Sequence, residues 1–156
     1  VYSIRAVSKN TQNNKRRQLL NKTANSQFIF LGFIAAGLTN LFGMLAASEF
    51  FTNSMFHELS PEVFSRFGTF MVMVWGLAYI AAARQAHQLP MLCFVFAFEK
   101  AIYVYTWVQW MSSKSEMLPM LQDEAPLLAL FYSGYGLIDL AFALFFLFAG
   151  VRAFKK

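Results

Sequence analysis

The sequence predicts an all-α integral membrane protein: a four-helix bundle running up-down-up-down, with both termini cytoplasmic. Three observations predict it. Of the 156 residues, 58% are hydrophobic and 13% charged, whereas a soluble domain carries about 25% charged residues. The apolar residues come in four long blocks rather than in an amphipathic rhythm. A helix rising about 1.5 Å per residue needs about 20 apolar residues to cross about 30 Å of hydrocarbon. Finally, the basic and acidic residues separate into alternate connections, as they do around membrane spans.

Residues 1–26 form a polar, basic tail with Lys15, Arg16 and Arg17 in a row. The tail has too few apolar residues to fold alone. It is expected to be disordered, or to rest on the membrane surface through Leu19 and Leu20 beside the basic run. It is longer and more polar than the front of a signal peptide, and the apolar block after it is long for a cleaved segment. The bundle then occupies residues 27–156.

The first helix is expected over about 28–50. The second is expected over about 61–84, because Ser60, Pro61 and Glu62 read as an N-cap, a first-position proline and an acidic first turn. The third runs over about 90–111 and the fourth over about 126–151. Pro90 and Pro126 stand at their starts, where the missing N–H costs nothing. No proline interrupts a block, and the short connections make neighbouring helices antiparallel.

Orientation follows from charge. The tail, the connection with Arg84, and the C-terminal Arg152, Lys155 and Lys156 contain no Asp or Glu. The other connections carry Glu49, Glu58, Glu62, Glu116, Asp123 and Glu124 against only Arg66 and Lys114. This positive-inside pattern puts both termini in the cytoplasm. The net charge of +5 is thus a topology signal first and a contact for anionic lipid second. Nucleic acid is a poor fit, since the basic groups are split among three segments. Compact form and short loops favour a bacterial inner membrane.

The lone cysteine, Cys93, excludes an intramolecular disulfide and CxxC redox chemistry. His57 and His87 fall in connections on opposite sides, so they cannot share a metal or a haem. Met111, Met117 and Met120 read as interfacial packing rather than a soft-metal site. No metal site or cofactor is expected, and no nucleotide or catalytic-triad motif occurs.

Few polar side chains lie inside the apolar blocks, and those few fall at similar depth: Asn40, Trp75, the pair Glu99 and Lys100, and Asp139. One ionisable group in hydrocarbon costs about 2.5–3.5 kcal/mol on insertion scales, so three must face each other, a cavity or another subunit. Glu99, Tyr103, Thr106 and Trp110 share one helical stripe. Tyr132, Tyr135, Gly136, Asp139 and Ala143 form a second, in which Gly136 and Ala143 leave room beside the carboxylate. Ala36, Gly37, Asn40, Gly43 and Ala47 make a small-residue face suited to close helix approach. Gly68, Met71, Trp75 and Tyr79 align on the second helix.

These stripes predict a cavity with acids at its floor and aromatics on its walls. Its mouth would be extracytoplasmic, or lateral from the outer leaflet. The candidate ligand-binding residues are Asn40, Trp75, Tyr79, Glu99, Lys100, Tyr103, Thr106, Tyr132, Tyr135 and Asp139. The first expectation is a protein that binds a hydrophobic, optionally cationic, small molecule, with cation–π and carboxylate contacts. The alternatives are an intramembrane enzyme on a lipid-like substrate, with Glu99 and Asp139 as acid and base; a proton-coupled transporter; and a structural subunit of a larger complex. Set against all four is a plain reading, in which the charges form a buried ion pair plus one protonated acid that fix helix register. Expected partners are membrane lipids, and a second copy or a partner membrane subunit, because four short helices enclose little volume.

No residue motif assigns a family. In architecture alone the chain resembles small multidrug-resistance transporters, which have four short helices, one embedded Glu and an aromatic pocket. It departs from them in its strong charge bias, its long tail and the placing of its acids. It is also similar in outline to the emopamil-binding and sigma-2-receptor-like group, and to DoxX-like proteins. No residue role is carried over from any of these.

Overall fold

In the computed structural model the chain folds into helices, with no strand among the described residues. The backbone is described for residues 2–155; in the first helix, side chains are described at 16, 17, 20 and from 23 onward. The expected surface contact of Leu19, and the basic side chains of Arg5, Lys9, Lys15, Lys22 and Lys156, lie outside the described residues.

The elements are α1 (Tyr2–Ala47), α2 (Ser54–Leu59), α3 (Pro61–Phe64), α4 (Arg66–Ala82), α5 (Pro90–Lys114), α6 (Leu118–Glu124) and α7 (Pro126–Phe154). Short 3-10 turns occupy Ala86–Gln88 and Ser115–Met117. Three stretches are long and apolar enough to cross a membrane: Thr23–Ala47, Pro90–Glu124 and Pro126–Phe154. The chain is therefore an α-helical membrane protein. The fourth apolar helix, α4, has 17 residues, about 25 Å of rise against about 30 Å of hydrocarbon.

The helix boundaries refine the sequence expectations. Pro61, Pro90 and Pro126 do open helices, as a residue without an N–H is suited to do. The expected second helix over 61–84 is divided, however. Ser60 turns its hydroxyl to the Glu62 carboxylate at 2.9 Å rather than to a backbone N–H, and the chain breaks at extended Ser65 (ψ 164°). The Ser65 hydroxyl then caps α4 by accepting from the Gly68 N–H at 3.1 Å. The first apolar helix also ends sooner than residue 50. Glu49, Phe50 and Phe51 take left-handed backbone conformations, with φ of 47°, 55° and 69°. Such conformations cost a side-chain-bearing residue about 1–2 kcal/mol each. Ser48 holds the reversal by donating to the Met44 carbonyl at 2.7 Å and accepting from the Phe51 N–H at 3.1 Å.

Packing pairs α5 with α7 and α1 with α4 most extensively. Glycine permits the second pair: a Cβ on Gly76 would lie 2.8 Å from the Gly37 carbonyl oxygen and 2.9 Å from Asn40 Cβ. The buried face of α4 is Thr69, Val72, Gly76 and Tyr79, one position around from the expected stripe, so Tyr79 is kept and Trp75 turned aside.

Two apolar cores result. One, toward the end bearing Arg84 and Arg152, gathers Phe33, Tyr79, Cys93, Phe96 and Phe146. There α1 and α7 touch, with the Phe33 and Phe146 rings 4.9 Å apart. The other, at the acidic end, gathers Phe56, Phe64, Trp110, Leu121 and Tyr132. The connection after α1 folds over this end and is tied down by three long-range bonds. Tyr132 OH donates to the Phe56 carbonyl at 2.9 Å, while Trp110 Nε1 and Lys114 Nζ donate to the Leu59 carbonyl at 3.3 and 2.7 Å.

Candidate functional site

Between the two cores lies a polar cluster built from all four long helices. Lys100 of α5 is its centre, only 2% exposed. Its ammonium meets the Asp139 carboxylate of α7 at 2.5 Å and donates to Asn40 Oδ1 of α1 at 2.9 Å. Asn40 in turn donates to the Val72 carbonyl of α4 at 3.0 Å. The Tyr79 and Tyr103 rings each stand 5.6 Å from the same ammonium, a range in which the ring quadrupole attracts a cation. Lys100 thus joins the bundle's polar groups.

The two acids separate. Glu99 receives the Tyr79 hydroxyl in a very short hydrogen bond, and its other oxygen, Oε1, is buried without a hydrogen-bond partner. Asp139 belongs to Lys100. The two carboxylates thus have different partners, Tyr79 for Glu99 and Lys100 for Asp139. The ion pair of the plain reading is present, and it binds α5 to α7 with α1 attached through Asn40.

Beside this cluster is a cleft of about 500 Å³. Its sides are α1, from Thr39 to Ala47, and α7, from Leu127 to Asp139, with Lys100 and Tyr103 of α5 behind and Phe64 and Val72 at the back. Near the basic end α1 and α7 meet through Phe28, Phe33, Phe145 and Phe146. Farther along, two glycines widen the gap. A Cβ on either Gly43 or Gly134 would meet nothing within 4 Å. The walls are almost wholly apolar, and the polar groups at the base are Asn40, Lys100 and Asp139. At the acidic end Phe56, Phe64 and Tyr132 are buried in one core. The gap faces sideways, where Leu130, Leu137 and Ile138 are exposed.

The structure brings together Asn40, Tyr79, Glu99, Lys100, Tyr103 and Asp139, and places Tyr135 on the cleft wall. It sets Trp75 and Tyr132 apart, while Thr106 stays beside Tyr135. Trp75 is half-buried against Phe96, their rings 6.2 Å apart. Thr106 donates within its own helix to the Tyr103 carbonyl at 2.9 Å. Tyr132 stacks on Trp110 at 4.6 Å in the acidic-end core. Gly136 leaves no room for a ligand either, because the Trp107 ring fills it and donates to the Tyr132 carbonyl at 2.9 Å.

Gly43 was expected to serve close helix approach, yet it faces open space. Gly134, Phe131 and Leu127 were not singled out at all. Leu127, Phe131, Gly134 and Ile138 recur at steps of four, three and four, so helical periodicity marks them as one face; nothing in their chemistry marks that face as a cleft. No group of three His, Cys, Asp or Glu suited to a metal occurs among the described residues.

Comparison of the chain with protein-family models, curated proteins and solved structures finds no match. Fold and site alone define the class: an α-helical membrane protein with a buried charged cluster at the base of an apolar cleft.

Proposed function

We propose that the chain is a four-span membrane protein that binds a hydrophobic molecule entering sideways from the lipid. In this reading α4 also crosses, as the second of four spans, and the bundle runs up-down-up-down. The acid-free basic end lies in the cytoplasm, in keeping with a bacterial inner membrane. One observation carries the proposal: the cleft of about 500 Å³ between α1 and α7, mostly apolar on its walls, with Asn40, Lys100 and Asp139 at its base and the polar groups of Thr39, Tyr103 and Tyr135 along its lining. Sites for small ligands have this composition, with apolar walls and a few placed polar groups.

The polar base favours a ligand bearing a hydroxyl, carbonyl or acidic oxygen over a cationic one. Lys100 has three N–H donors and directs two of them at Asn40 and Asp139. A ligand oxygen can accept the third. A ligand amine at the Asp139 carboxylate would stand beside the Lys100 ammonium, and repulsion between like charges disfavours it. Acid–base catalysis by Glu99 and Asp139 is less well supported, because Glu99 is engaged by Tyr79 and only Asp139 faces the cleft.

The test fills the cleft without touching the charges. Gly134→Leu and Gly43→Leu place a side chain in open space and replace a helical glycine, so folding should be kept or improved by about 0.5–1 kcal/mol. Native mass spectrometry of gently purified wild type should show a bound small molecule that both variants lose. A ligand retained by both variants, or a wild-type protein that is empty in every preparation, would overturn the proposal.

A further inference from the structure

A second hollow, of about 280 Å³, lies at the basic end. The start of the apolar part of α1, the connection between α4 and α5, and the end of α7 all reach it. Arg84, His87 and Arg152 line it together with Asn25, Ser26 and Gln27. Each of these side chains can donate a hydrogen bond, and two are guanidiniums, whose planar fork matches phosphate oxygens.

Among the described residues, no Asp or Glu forms an ion pair with these arginines. All eight Asp and Glu residues are elsewhere: six in the connections of the opposite end, and Glu99 and Asp139 inside the bundle. The ion pair found among the described residues is Lys100 with Asp139, and Arg152 is instead placed over the Phe148 ring at 5.9 Å. Two cations converging on a hollow with no internal counterion call for an anion from outside.

Its depth says which kind. Ile29, Phe30 and Ala83 form the apolar side of the hollow; there the apolar blocks begin and end, at the level of lipid headgroups. Just beyond, Phe28 and Phe148 meet edge to face, with centroids 6.4 Å apart, and both are exposed. A headgroup seated on the arginines would lay its acyl chains along these rings, a surface that a free phosphate ion cannot use.

We propose that this hollow holds the phosphate group of an anionic membrane lipid, with Arg84 and Arg152 as its ligands and Asn25, Ser26, Gln27 and His87 as further donors. The site is separate from the cleft and does not depend on the function proposed for it.

The experiment is native mass spectrometry of delipidated protein in detergent, titrated with dioleoylphosphatidylglycerol or dioleoylphosphatidylcholine. Wild type should retain the anionic lipid about 10- to 30-fold better, the size expected of two arginines near an anionic surface. Arg84→Gln with Arg152→Gln should abolish the preference, whereas Arg16→Gln with Arg17→Gln, exposed positions on α1, should keep it. Equal loss in that control would mean diffuse charge attraction and overturn the site. Displacement of the lipid by inorganic phosphate alone would overturn the lipid as its occupant. Circular dichroism checks the fold of the double variant. Should it unfold, Arg84→Gln alone decides: Arg84 is exposed, and a several-fold loss supports the site while no loss overturns it.

Discussion

Lys100 is the residue on which the interior depends. Burying an ammonium is tolerable only with a close counterion and further hydrogen bonds, and here Asp139, Asn40 and two aromatic faces supply them. Removing one partner strands the other. Lys100→Met should therefore destabilise the protein by about 3–5 kcal/mol, and pairing it with Asp139→Leu should recover most of the loss, since apolar replacement of a whole buried pair is often neutral or better. Unfolding titrations followed by circular dichroism would measure both, and a double variant no more stable than the single one contradicts this account. Tyr79→Phe removes the hydrogen bond that Glu99 receives. The same titration should show a smaller loss of about 1–3 kcal/mol, the cost of leaving a buried acceptor unsatisfied.

At the scale of elements, glycine does opposite things on the two sides of α1. Toward α4, Gly37 and Gly76 bring backbones into contact, and a Cβ on Gly76 would press on the Gly37 carbonyl. Gly76→Ala should push the helices apart and cost about 1–3 kcal/mol, as overpacking does. Toward α7, Gly43 and Gly134 open the cleft. Gly134→Ala should instead stabilise by about 0.5–1 kcal/mol through helix propensity. Thermal unfolding of the two variants side by side tests the contrast, and shifts of the same sign would refute it. The same contrast limits what sequence reading could recover. Small residues on a helix predict close approach, but Gly37 and Gly43 read alike in the sequence of α1. Whether a neighbour arrives depends on the splay of α7, which the order of residues in α1 does not record.

At the scale of the molecule, the 17-residue α4 decides whether the bundle crosses the membrane four times. If α4 crosses, Glu58 and Gln88 lie on opposite sides, because they flank it. In a Cys93→Ala background, Glu58→Cys and Gln88→Cys should label from opposite faces of sealed membrane vesicles with an impermeant maleimide. Labelling of both from one face would remove α4 as a span. The native thiol, being buried, should not react in the folded protein.

The helical class and the membrane setting are legible in the order of residues alone. Those depend on the length of apolar blocks and on where charge is affordable, and both are local properties of the chain. The order of residues also marked Asn40, Tyr79, Glu99, Lys100 and Asp139, because any polar group within such a block must find a partner. Who partners whom comes from the fold. Glu99 and Lys100 are adjacent in sequence but point about 100° apart on the helix, so one meets Tyr79 and the other Asp139 and Asn40. The fold also turned Trp75 aside, filled Gly136 with Trp107 and opened the cleft at Gly43 and Gly134. Helical periodicity assigns a residue to a face of its own helix; the rotation and splay of that helix against its neighbours come from the packing of all of them together.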